Sequence, residues 1–366
     1  MKATIPLMLL VAVAGAWASA EAQEARPPKL LVLLKGENAM VYVDPASGKV
    51  EGKVPVGRDP HELAVSDDGT LAFASNYAGQ GPGSNSLSVI DLASRKELHH
   101  VELGALQRPH GLWFADGKLY FTAEGSLAIG RYDPKANAID AILGTGQGRT
   151  HMVVLSKDGK AIYTANGSSN TISIFERSAR RPGPPGGGPP GGPPPGGPPP
   201  GGRPPGPGGP GGPGGPEWSQ TLVPVGRGPE GFDVSPDGKE LWTSHMGDGR
   251  VFAIDLTTKK VARTMDIGAR AGNRLKFTPD GKLALVSDLF GGELIVMDVA
   301  KGTVVERLKL GRGASGILIP PGGERAYVAL TGDNAIAVID LHSLKEVGRL
   351  NPGPGPDGMA WLPGTR

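Results

Sequence analysis

One pattern, repeated at a constant period, limits what this chain can fold into more than any other feature. Apolar runs ending in an acid recur at Val43-Asp44, Ile90-Asp91, Tyr132-Asp133, Phe175-Glu176, Ile254-Asp255, Met297-Asp298 and Ile339-Asp340. The acids are 47, 42, 43, 79, 43 and 42 residues apart. The long interval contains Pro182 to Pro216, 35 residues made of 17 Pro, 17 Gly and Arg203, and without it 79 becomes 44. A second signature, Ser/Thr-x-Asp-Gly-Lys, keeps the same period at Ser156–Lys160, Ser235–Lys239 and Thr278–Lys282, with shorter copies at Ser66–Gly69 and Asp116–Lys118. Seven copies of a unit of about 44 residues are the mark of a repeat architecture.

Each copy parses into four short strands rich in Val, Ile and Leu. In the second copy they are Glu62–Ser66, Leu71–Asn76, Ser86–Asp91 and Glu97–Leu103. Asp-Gly between the first two is a strong hairpin signal, because the turn needs positive φ, where glycine is unstrained. Four strands per 40–45 residues predict an all-β, seven-bladed β-propeller. The chain opens with Leu30–Leu34 and Val41–Asp44, which match second and third strands, and closes with Gly358–Leu362, which matches a first strand. The C-terminal strand is therefore expected to complete the N-terminal blade and close the ring.

The N-terminus reads as an export signal. Lys2 precedes an apolar run from Ile5 to Ala16, and Ala18-Ser19-Ala20 has small residues at the cleavage spacing, with Ala20-Glu21-Ala22 as the alternative. The expected organisation is a signal peptide over 1–20 and a single propeller over 21–366. Within it, a disordered Pro/Gly-rich insertion spans 178–217, between the third and fourth strands of the fourth blade. The mature protein is expected to be periplasmic or extracellular, with no membrane span. The insertion reads as a flexible, partly extended excursion, or as a recognition arm for aromatic-lined grooves. The chain has no cysteine, which excludes disulfides, thiolate metal sites and c-type haem attachment. Lys+Arg 38 against Asp+Glu 36 leaves +2, and aromatics are 5%, so nucleic acid is not an expected partner.

Two resemblances follow. Val223–Gly238, Ser169–Ile174 and Tyr163-Thr164-Ala165-Asn166 resemble the YVTN-repeat family of seven-bladed propellers, a likeness that runs over nearly the whole mature chain. Arg108–Gly111, Leu119–Glu124 and Ile129–Arg131 are similar to repeats of the streptogramin lyase propellers. The first implies the fold and the second, over one blade, implies a metal-assisted lyase.

Propellers work at the face where the chain enters each innermost strand. Equivalent positions there are His61, His110, His151, Glu230, Asn273, Ser315 and Asp357. The ends of the second strands add Lys35, Asn76, Glu124, Asn166, His245 and Asp288. His61, His110, His151 and His245 are candidate ligands for one divalent metal ion, with Glu124 or Glu230 as general base. The other reading of these histidines is as turn caps bonded to loop carbonyls. Arg58, Arg108, Arg149, Arg227, Arg270 and Arg312 recur two or three residues earlier and suit an anionic ligand. Asn76, Asn166, Asn273, Asp288 and Asp357 are further candidate ligand contacts. The leading expectation is binding of a small anionic ligand or a protein partner at this mouth without catalysis. The alternatives are a metal-dependent lyase or lactone hydrolase, and a structural surface protein.

Overall fold

The computed structural model describes residues 27–77, 85–177 and 218–364. The expected signal peptide over 1–20 and the expected insertion over 178–217 lie outside these residues. Seven four-stranded antiparallel sheets stand in a ring. Blade 2, for example, runs from the axis outward as Pro60–Val65, Leu71–Asn76, Ser86–Asp91 and Lys96–Glu102. Blade 1 is assembled from both ends of the chain. Pro356–Leu362 is its innermost strand and pairs antiparallel with Lys29–Leu34, with Lys29 opposite Leu362 and Val32 opposite Met359. Ring closure by the last strand is thus as the repeat requires. Among the described residues no helix is long and apolar enough to cross a membrane.

The two sequence signatures each have a local cause. In the Ser-x-Asp-Gly turns the hydroxyl of Ser66 donates to Asp68 at 2.6 Å and accepts from the Leu71 N–H at 2.9 Å. Gly69 sits at φ +68°. The same hydroxyl-to-carboxylate bond, at 2.7 Å, recurs at Ser156, Ser235 and Thr278. In six blades the acid closing the third strand accepts a backbone N–H of the following turn, as Asp44 does from Ala46 and Ser47. Both are side-chain mimics of turn hydrogen bonds. Apolar side chains fill the seams between neighbouring blades, as Leu31 and Met40 of blade 1 do with Ala72 and Ile90 of blade 2.

The insertion leaves between Thr171–Arg177 and Trp218–Pro224, the third and fourth strands of blade 4, where Arg177 and Trp218 are ladder partners. The Arg177 guanidinium lies 5.3 Å from the centroid of the Trp218 indole ring, which marks where the excursion begins and ends. This is the end of the blade away from the hairpin at Asn166–Thr171, and hence away from the face described next.

One irregularity prepares the site. The ladder between first and second strands breaks register in the same place in every blade. The breaks fall between Pro60 and Leu63, Pro109 and Leu112, Thr150 and Met152, Pro229 and Phe232, Gly272 and Leu275, and Ala314 and Ile317. In blade 1 the slip lies opposite Asp357 and Gly358. A bulge leaves its residues out of the ladder and re-aims their side chains. The freed backbone groups are met by second-strand hydroxyls. Thr122 accepts from Gly111 N–H and donates to the His151 carbonyl of the next blade, both at 2.8 Å. Ser287 joins Arg274 N–H to the Ser315 carbonyl in the same way.

Candidate functional site

The seven bulged residues converge. His61, His110, His151, Glu230, Asn273, Ser315 and Asp357, each the second residue of its innermost strand, all line one cavity of about 250 Å³ at the channel mouth. The strands approach the axis so closely that the next position is glycine in four blades. A Cβ on Gly231 would fall 2.3 Å from the Asn273 carbonyl oxygen, and one on Gly358 2.3 Å from that of His61. Where this position is not glycine it carries Glu62, Met152 and Arg274. The Arg274 guanidinium bonds Glu62 from across the ring. Arg274 is buried and lines the mouth cavity.

Charge in the mouth is arranged in alternation. The His151 ring is buried between two carboxylates, with Nδ1 bonded to Glu124 and Nε2 2.8 Å from Glu230. Burial alone would depress the imidazolium, but Glu230 and Glu124 outweigh it and raise the His151 pKa. Burial likewise disfavours the Glu230 carboxylate, yet His151, Arg149 and Arg274 hold its pKa down at about 2. Glu124 is also lowered against its burial, by His151 and by the Tyr77 hydroxyl, which donates to it at 2.6 Å. Arg149 completes the group, 3.0 Å from Glu230 and 3.6 Å from Glu124. A charged histidine clasped this way binds and orients; it has no free lone pair with which to take a proton.

The other two imidazoles are neutral. The His110 ring packs against His151, tilted by 40° with centroids 3.8 Å apart, and meets His61 edge-on at 4.9 Å. Burial, followed by the charge of His151, holds its pKa well below the usual range. Its Nδ1 is buried with no hydrogen-bond partner among the described residues. His61 is lowered by burial and by Lys35, whose ammonium sits 2.9 Å from Nε2 and 2.8 Å from Asp357. Tyr77 closes this wall at 4.6 Å from the His61 ring. The three rings pack against one another in series, one pair tilted and the other edge-on. Among the described residues no group of three or more His, Asp or Glu side chains is spaced to hold a metal ion.

Comparison with known proteins adds the fold and no more. The sequence matches no protein-family model and no curated protein. Among solved structures, hydrazine synthase of Kuenenia stuttgartiensis aligns with TM-score 0.65 at 17% identity, over 85% of this chain and 91% of that one. A "putative 6-phosphogluconolactonase" from Bacteroides fragilis aligns with TM-score 0.70 at 14% identity, over 92% and 98%. A protein of the same description from Bacteroides uniformis gives 0.67 at 16%, over 93% and 100%. At such identities the likeness is one of architecture, and the resemblance to YVTN repeats is carried by the blade pattern alone.

The second-strand residues divide. Lys35 and Glu124 reach the mouth, whereas Asn76, Asn166, His245 and Asp288 turn into the blades. Asn76 donates to Ser86 and Ser88, both at 3.0 Å. Asn166 bonds Thr150, Thr171 and Ser173. Asp288 accepts the backbone N–H groups of Arg270, Ala271 and Gly291. His245 stacks on Phe252 at 4.5 Å and is absent from the cavity lining, so it does not join the other three histidines. The cause is a one-residue slip. Asn76, Asn166, His245 and Asp288 end their strands, while Lys35 and Glu124 follow theirs, and one residue along a strand reverses the facing side. The equivalent positions in the other blades are Tyr77, Gly167, Met246, Leu289 and Thr331, and all but Gly167 line the mouth.

The arginine set also divides. Arg149 lines the cavity, and Arg108 stacks over Tyr77 at 5.0 Å. Arg58, Arg227, Arg270 and Arg312 are exposed outside the mouth. The backbone N–H groups of Arg227, Arg270 and Arg312 bond Asp248, Asp288 and Asp333. The repeated arginine position is thus set by a turn as well as by any ligand.

Proposed function

We propose that the protein acts outside the cytoplasm and binds a small anionic group, a carboxylate or a phosphate, at this mouth. The supporting observation is the depth at which the opposite charges lie. The Lys35 side chain is 24% exposed over Asp357 at 7%, and Arg149 is 39% exposed over Glu124 and Glu230 at 4% each. An incoming molecule meets the ammonium and the guanidinium, while the carboxylates that position them lie beneath. Arg274, bonded to Glu62, contributes positive charge from across the ring. Calorimetric titration with acetate and with inorganic phosphate tests this. Binding is expected to weaken with salt, and by about ten-fold or more in Lys35→Gln, the scale of one hydrogen bond to a charged group. Titrations indifferent to both changes would refute it.

Lactone hydrolysis is the second reading, supported by the neutral His110 and His61 beside the cations. A neutral imidazole can accept a proton from water, and the Bacteroides propellers carry a lactonase description. Release of acid from gluconolactone, lost in His110→Gln while acetate still binds, is the outcome that would favour it.

A further inference from the structure

We infer that the ligand of the mouth is amphipathic, its anionic head at Lys35 and Arg149 and its apolar chain lying in a groove between blades 6 and 7. This rests on the anion reading above and extends it. The mouth has two unlike sides. Blades 1 to 4 supply all of its aromatic and most of its ionisable groups, while on the other side Met246 and Leu289 bring apolar side chains beside Glu230 and Arg274. Leu289 also lines a second, larger cavity of about 720 Å³, so the two spaces meet at one side chain.

That second space is built to receive something apolar. Its walls are the loop Leu289 to Gly292, joining second and third strands of blade 6, and the loop Leu310 to Gly313, leading into blade 7. Four of these residues are glycines, which leave the floor without side chains. A Cβ on Gly292 would fall 2.4 Å from the Gly311 carbonyl oxygen, and one on Gly311 2.3 Å from the Asp333 carboxylate. On this bare floor stands Phe290, 64% exposed, the most exposed large hydrophobic residue among those described. An uncovered phenyl ring beside a polar cavity forgoes burial that a ligand would restore. Of the three cations lining this space, two are paired and Arg270 has no carboxylate partner among the described residues. Lys309 pairs with Glu293 at 3.2 Å, and Arg312 with Asp333 at 2.7 Å. One charged head and an uncharged tail match what the two spaces present.

The test is a chain-length series of acetate, butyrate, hexanoate and octanoate, with octyl phosphate alongside, titrated calorimetrically into the whole protein below micelle formation. Affinity is expected to rise by about two- to four-fold per added methylene once the chain passes Leu289. Phe290→Ser should flatten that rise and leave acetate binding unchanged, whereas Lys35→Gln should weaken every member by a similar factor. If octanoate binds no more tightly than acetate, the groove assignment is overturned, and salt-sensitive acetate binding would then leave the anion reading standing alone. A rise that persists in Phe290→Ser overturns the placement of the tail. Binding to phosphatidylglycerol vesicles without binding of dissolved octanoate or octyl phosphate would assign the head-group site to a membrane surface and overturn a free ligand.

Discussion

Replacing Glu230 by Gln tests whether the mouth is organised by charge or by shape. The side chains are nearly isosteric, so packing is preserved while His151 and Arg149 lose a buried counter-charge. Glu230 is shifted from an ordinary 4.5 to about 2. Such a depression represents about 3 kcal/mol of folding stability, at roughly 1.4 kcal/mol per unit. Because the folded-state value is the lower one, the contribution is fully present above about pH 4.5 and is lost as pH falls through about 2. His151 behaves in the opposite sense. Its raised pKa contributes stability below its unfolded value, lost as pH climbs through its folded one. Urea unfolding of both proteins across about pH 2.5 to 8 reads the two effects together. The gap between wild type and Glu230→Gln should be about 3 kcal/mol near pH 5 to 6 and should narrow steadily towards about pH 2.5. The variant should also lose less on the alkaline side, since His151 keeps only Glu124. A gap that stays constant from pH 6 to 2.5 would show that the cost is steric, and the charge alternation argued above would be wrong.

Two further outcomes follow from the ring. Ending the chain at Pro352 removes the strand Pro356–Leu362 and uncovers the Lys29–Leu34 edge, so cooperative unfolding should be lost and self-association should appear by light scattering. A melt unchanged by the truncation would contradict closure through that strand. Gly231→Ala places a methyl group 2.3 Å from the Asn273 carbonyl oxygen and should cost about 1–3 kcal/mol or more, whereas Gly348→Ala, with open space around its Cβ, should be near neutral by thermal melting.

The periodicity of the chain made the ring, its closure and seven mouth residues legible, because one period fixes equivalent positions without any knowledge of contacts. His61 and Asp357 lie at opposite ends of the sequence, yet both are second residues of innermost strands. The second-strand contacts were harder to place, because strand ends are blurred by a residue or two while side-chain direction reverses at every step. A usable signal exists: Lys35, Glu124, Met246, Leu289 and Thr331 each stand nine residues before the acid of their third strand, while Asn166, His245 and Asp288 stand ten before. Tyr77 escapes even that rule, because five extra residues separate it from Asp91. Arg274 could not be read at all. It sits in a bulge, where strand alternation fails, at a position most blades give to glycine. Part of the arginine repeat has a second cause, since in three blades an aspartate accepts the backbone N–H of that arginine.

The ion pair of Lys35 and Asp357 joins residues 322 positions apart and straddles the seam where the two chain ends meet. A ribosome therefore finishes six blades before this half of the binding surface can exist. Any protease that trims the last dozen residues would silence the mouth without touching the other blades, and whatever docks there would in turn hold the seam shut.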